Sequence, residues 1–148
     1  MVTIDEIPTW NDGAILVILY LNKGEISKQK LNELLYLIYE ELEDVDSLED
    51  LDFYVNMKTK EIEIYNPKME FNLNDILGNM VSNELINVYK ENIYLTEHGY
   101  KAAKAIMNDP EFKNEVEVTL RITAQYKDIS EGGLINLILE NLKRSNNL

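Results

Sequence analysis

One stretch limits the choice of fold more than any other: Leu85 to Gly99, LINVYKENIYLTEHG. Leu85, Ile86, Val88 and Tyr89 form one apolar, β-rich run, and Ile93, Tyr94, Leu95 and Thr96 form a second. Lys90, Glu91 and Asn92 lie between them and suit a tight hairpin connection. Thr96 then carries the hydroxyl that caps a helix beginning near Glu97. The spacing therefore predicts a hairpin that runs directly into a helix, and the rest of the chain must build around it.

The 148 residues are 45% apolar, enough for one domain with a real core or a small domain plus an extension. No apolar run approaches the ~18 residues of a membrane span; the longest, Ala14 to Leu21, reads as a buried helix. Met1 to Trp10 carries Asp5 and Glu6 without a basic region, so no signal peptide is expected and a cytoplasmic location is the default. The chain has no cysteine, which excludes disulfides, thiolate catalysis and cysteine zinc sites.

Net charge is −13. Its excess lies entirely in the first 100 residues, because acids and bases balance from Lys101 onward. The densest run is Glu40, Glu41, Glu43, Asp44, Asp46, Glu49, Asp50 and Asp52, with no base among them. Such a surface repels phosphate backbones and favours basic partners, and it also serves as a solvated loop that maintains solubility.

In chain order, Trp10 is expected to pack the N-terminal lead-in onto the body. Asn11 or Asp12 caps a first helix through GAILVILYLN to Gly24, apolar on all sides and therefore central. Lys23 to Ile26 reads as a turn, and Ser27 caps a helix from Lys28 to about Leu42. Leu31, Leu34, Leu35, Ile38 and Leu42 give that helix one apolar face. Tyr36, Leu37 and Tyr39 give it another, which either the C-terminal segment or a second subunit must cover.

After the acidic loop, Phe53–Met57 and Glu61–Tyr65 flank Lys58-Thr59-Lys60 as a hairpin that must dock on the helices. Asn72 or Asn74 caps a third helix from Asp75 to about Ser82, which Gly78 weakens, so packing is expected to hold the helix in position. Asp109-Pro110 signals a further helix to about Tyr126. Val116, Val118, Leu120 and Ile122 alternate there as a strand would, but the start signal and the surroundings favour helix. Ser130 caps the last helix, Glu131 to Lys143.

The junction Ile93-Tyr94-Leu95-Thr96-Glu97-His98-Gly99 resembles the "Y-x-L-T-x-x-G" strand-to-helix junction of many prokaryotic winged-helix regulators, including the PadR and MarR kinds. The upstream order of apolar helix, Ser-capped helix, short helix and hairpin is similar too, over roughly residues 11–107. The span Leu134 to Leu142 resembles the C-terminal helices of uncharacterised winged-helix proteins. The resemblance implies an α+β, mostly α fold. It comprises a winged-helix domain over residues 1–107, with an acidic loop and hairpin insertion at 43–71, and a helical extension at 108–148 packed on it or used in dimerisation. In that family the third helix enters the DNA major groove and the wing touches the backbone. The corresponding candidates are Asn74, Asn79, Ser82 and Asn83 on the helix and Lys90 and Asn92 on the wing, with Lys28 and Lys30 as the bases near that face.

Charge opposes that use. From Phe71 to Tyr89 there is no Lys or Arg, while Asp75 and Glu84 are present; Lys and Arg supply most phosphate affinity, and Arg makes the commonest specific base contacts. His98, the sole histidine, has no nucleophile beside it in sequence, and no metal-ligand spacing or phosphate-cradling glycine motif occurs. No cofactor, metal or catalytic residue is therefore expected. The leading expectation is a non-catalytic regulatory module acting through protein contacts, as a homodimer. The first alternative is a DNA-binding transcription regulator. The second is a decoy whose acidic surface (Glu40, Glu43, Asp44, Asp46, Glu49, Asp50, Asp52) captures a basic protein.

Overall fold

The computed structural model describes residues 10–42, 52–56, 61–66 and 71–146. The expectations for the Trp10 side chain and for Glu43, Asp44, Asp46, Glu49 and Asp50 lie outside the described residues, and of Asp52 only the backbone is described. The elements run α1 (Trp10–Leu21), β1 (Glu25–Ser27), α2 (Lys28–Glu41), β2 (Asp52–Asn56), β3 (Glu61–Asn66), β4 (Phe71–Asn72), α3 (Leu73–Ser82), β5 (Ile86–Tyr89), β6 (Asn92–Leu95), α4 (Glu97–Met107), a 3₁₀ turn (Pro110–Phe112), α5 (Lys113–Gln125) and α6 (Glu131–Asn146). The fold is α+β and mostly helical, with antiparallel sheets in the orders β1-β6-β5 and β2-β3-β4.

Helix α1 is the axis of the core. Ala14 through Leu19 are each no more than 1% exposed, because α4, α5 and α2 enclose the helix from different sides. An all-round apolar helix has no wet face to offer, so it must be surrounded. Gly24 ends it in the left-handed region at φ 84, its N–H donating to the Leu19 carbonyl at 2.7 Å. Gly24 then accepts from Leu95 N–H at 2.8 Å. That bond continues the β1–β6 ladder, in which Glu25, Ile26 and Ser27 face Tyr94, Ile93 and Asn92. The turn expected at Lys23 to Ile26 is thus partly strand: three residues are too few to show a period, and their partner is distant in sequence.

Ser27 caps α2, accepting from Lys30 N–H at 3.1 Å. The second face of α2 is covered from within the chain, since α5 and α6 both pack on it and share one hydrophobic core with α1 and α2. Tyr36, Leu37 and Tyr39 of that face are partly buried against the core, while Leu137 of α6 stays 40% exposed. Among the described residues the exposed large hydrophobics are Val81, Tyr89, Leu120 and Leu137.

Residues 113–125 are helical, as the start signal predicts, with Asp109 capping the preceding turn through Glu111 N–H at 2.8 Å. The alternation was misleading because the buried positions of α5 are Glu115, Val116, Thr119, Ile122 and Thr123, a helical stripe, while Leu120 is exposed. Thr119 fits that stripe by donating its hydroxyl to the Glu115 carbonyl one turn back, at 2.8 Å. Ser130 caps α6 through Gly133 N–H at 3.1 Å. The β2–β3 hairpin docks on α2, where the Asn32 side-chain amide donates to the Ile62 carbonyl at 3.0 Å.

Candidate functional site

Strand β4 delivers the chain to α3 through a reciprocal cap. The Asn72 side chain accepts from Asp75 N–H at 3.1 Å, and the Asp75 carboxylate accepts from Asn72 N–H at 3.0 Å. This fixes the start of α3 and consumes the one acid in its first turn. Leu73, Ile76, Leu77 and Met80 face the core, which turns Asn74, Asp75, Gly78, Asn79 and Ser82 outward.

The position of α3 relative to the hairpin is set by the junction that carries the family resemblance. Thr96 accepts from Gly99 N–H at 2.9 Å, and its hydroxyl lies 2.6 Å from the Glu84 carbonyl and 2.9 Å from that of Leu85. One hydroxyl therefore caps α4 and pins the entry of β5. Gly99 is required beside it. A Cβ there would run into the Leu85 carbonyl oxygen and lie 2.7 Å from Leu95 Cδ1. The Thr-x-x-Gly spacing is thus the signature of a strand crossing a helix N-terminus at backbone distance.

β5 and β6 pair from Ile86↔Leu95 to Tyr89↔Asn92, so the hairpin turn is Lys90–Glu91 alone, with Lys90 at φ 55. Asn92 was expected on the wing tip. It is instead a half-buried strand residue paired with both Tyr89 and Ser27, because a two-residue loop matches the twist of the strands it joins. Lys90 does occupy the tip, beside Tyr89 at the end of β5. Tyr89 is 64% exposed, and the Lys90 ammonium lies 5.4 Å from its ring centroid.

Between α3 and the hairpin lies a surface groove of about 400 Å³ lined by Lys28, Asn74, Leu77, Gly78, Val81, Asn87 and Val88. The start of α2 reaches it because Lys28 N–H donates to the Glu91 carbonyl in the hairpin turn at 2.8 Å. Lys28, Asn74 and the hairpin are thereby brought together. Asn79, Ser82 and Asn83 are exposed on or just after α3 but do not line the groove.

Lys30 is not part of this face. It is 9% exposed and turned inward, where its ammonium donates to the Tyr126 carbonyl at 2.9 Å and to the Ile129 carbonyl. These carbonyls close the C-terminal end of α5 and the loop to α6, where a cation is favoured by the helix dipole. Lys30 is therefore not a base near the α3 face, as the sequence suggests, because its ammonium ties α2 to the segment that joins α5 and α6.

The acidic surface is described at its start. Glu40 is exposed at the C-terminal end of α2, and Glu41 pairs with Arg121 of α5 at 3.0 Å. The last turn of α2 has no basic residue of its own, so Arg121 supplies the missing compensation. His98 is half-buried in the first turn of α4. Among the described residues no group of three or more His, Cys, Asp or Glu side chains is placed to hold a metal ion, and no helix is long and apolar enough to cross a membrane.

Sequence reading missed Leu77, Gly78, Val81, Asn87 and Val88 as groove residues. One signal was available. Gly78 weakens α3 in mid-helix, and a Cβ there would meet nothing within 4 Å. No protein-family model, no curated protein and no solved structure matches the chain.

Proposed function

We propose that this chain is a winged-helix scaffold whose recognition-helix face serves protein contacts, in a non-catalytic regulatory role. The scaffold reading is supported by the order helix, strand, helix, helix, hairpin once the inserted β2-β3-β4 sheet between α2 and α3 is set apart, with the short first strand paired to the second hairpin strand in the order β1-β6-β5. In that reading α3 stands where a DNA reader has its recognition helix, and Lys90–Glu91 is the wing tip.

One observation carries the choice of partner. The outward face of α3 presents amides, a glycine and the capping Asp75, and the adjoining groove adds the apolar side chains of Val81 and Val88, with Lys28 as its only charge among the described residues. A duplex requires a row of cations, since each neutralised phosphate supplies part of the affinity. Here Lys28 and Lys90 stand against Asp75, Glu84 and Glu91. A mixed apolar and amide surface instead suits the desolvated centre of a protein interface.

The DNA-binding reading keeps one supporting observation: the contact between α2 and the hairpin turn brings Lys28 and Lys90 toward the same face. A photo-crosslinking residue at Ser82 separates the two readings in native extract. Protein contacts give adducts that protease removes and nuclease leaves. Adducts that disappear with nuclease would reverse the ordering.

A further inference from the structure

We infer that the groove between α3 and the hairpin binds an extended peptide carrying an aliphatic residue next to a carboxylate. This rests on the reading of that face as a protein-contact surface and names the chemistry of the partner.

Three independent features point to it. The first is Gly78. Glycine in a helix interior costs about 1 kcal/mol relative to alanine, and at Gly78 no neighbour within 4 Å calls for the missing methyl. The chain's own packing gives no reason for it, whereas a main chain lying along the groove does, because only glycine lets another backbone approach the helix that closely.

The second is the pair of amides. Asn74 on α3 and Asn87 on β5 are both exposed and line the groove, and neither side chain has a hydrogen-bond partner among the described residues. Each carboxamide offers one acceptor and a donor NH₂, the complement of a peptide unit. Leu77, Val81 and Val88 supply the apolar part of the lining, with Val81 41% exposed. That part takes an aliphatic side chain and little that is polar.

The third is charge. Among the described residues Lys28 is the sole ionisable one lining the groove, and it has no ion pair with any of them. A single cation beside an apolar wall selects one carboxylate, where a polyanion would require a row. The volume of about 400 Å³ lies at the small end of ligand sites, which suits a few residues and weak affinity.

The test titrates the ¹⁵N-labelled full chain with acetyl-Leu-Val-Glu-amide and with its Gln counterpart. The inference expects the Glu peptide to move the Asn74 and Asn87 side-chain amide signals and the Gly78 amide, at millimolar concentration. It expects the Gln peptide to bind at least fivefold more weakly. Lys28→Gln should remove that difference. Gly78→Ala should weaken binding at least fivefold in a chain that remains folded, as its spectrum shows. Equal binding of the two peptides, or unchanged binding by Gly78→Ala, overturns the inference. So does displacement of the same signals by duplex DNA, or by raising protein concentration alone, which would make the occupant a second copy. Protein cross-links through Ser82 in a chain that ignores both peptides overturn this inference while leaving the protein-contact reading standing.

Discussion

Replacing Lys30 with methionine separates a structural cation from a DNA-binding one. The side chain is nearly buried, and its ammonium is held by the Tyr126 carbonyl at 2.9 Å and by the Ile129 carbonyl. Hydrogen bonds from a charged donor contribute about 1.5–3 kcal/mol each, and a buried carbonyl left without a donor costs about 1–3 kcal/mol. Against this, methionine avoids the cost of desolvating an ammonium and adds apolar contact. The balance is a loss of about 2–4 kcal/mol, which corresponds to a fall in Tm of roughly 5–15 °C for a chain of this size. Urea denaturation measures it directly, with the midpoint falling and the slope unchanged. Amide exchange should accelerate first between Tyr126 and Ser130, where the loop loses its tie. A variant within about 0.5 kcal/mol of the parent, the range of ordinary surface substitutions, would refute the reasoning. It would also return Lys30 to the surface.

Other outcomes follow from the same structure. Gly99→Ala forces a methyl into the Leu85 carbonyl and against Leu95, and should destabilise by about 1–3 kcal/mol in thermal melts. Gly78→Ala, by contrast, meets nothing and should stabilise by about 0.5–1 kcal/mol, so the two glycine variants must move Tm in opposite directions. Burial, and secondarily the nearby Glu40 charge, push the Tyr36 phenol above its ordinary 10.0. Its contribution to stability is therefore complete below about pH 10 and is lost as pH rises through the raised folded value. Tyr36→Phe should flatten the alkaline decline in urea midpoint, and an unchanged decline would argue against the burial.

The parts of the fold legible in the sequence were those whose causes are local. Thr96 and Gly99 are three residues apart and satisfy one another's needs, so the hairpin-to-helix junction could be read directly. The same is true of Ser27, Asn72 and Ser130, each of which caps a helix through a residue three positions on. Illegible features had distant causes. Lys30 looked like a surface base because its partners lie 96 and 99 residues away. Strand β1 looked like a turn because its ladder among the described residues is with β6, far along the chain.

The groove was illegible for a related reason. Its residues come from α2, α3 and β5, and none is chemically conspicuous alone. What the sequence did expose was a deficit, the lack of any Lys or Arg from Phe71 to Tyr89. A deficit is as informative as a motif when affinity depends on a count of charges.

What decides the role of this protein is whether the α3 face holds a polyanion. Fluorescence anisotropy of a labelled duplex titrated with the full chain, at salt concentrations from about 50 to 200 mM, tests this most directly. The missing cations on this face imply a Kd weaker than about 10⁻⁴ M throughout, beyond the usual non-specific range. A submicromolar Kd at low salt that weakens steeply as salt rises, and is lost in Lys28→Gln with Lys90→Gln, would contradict it.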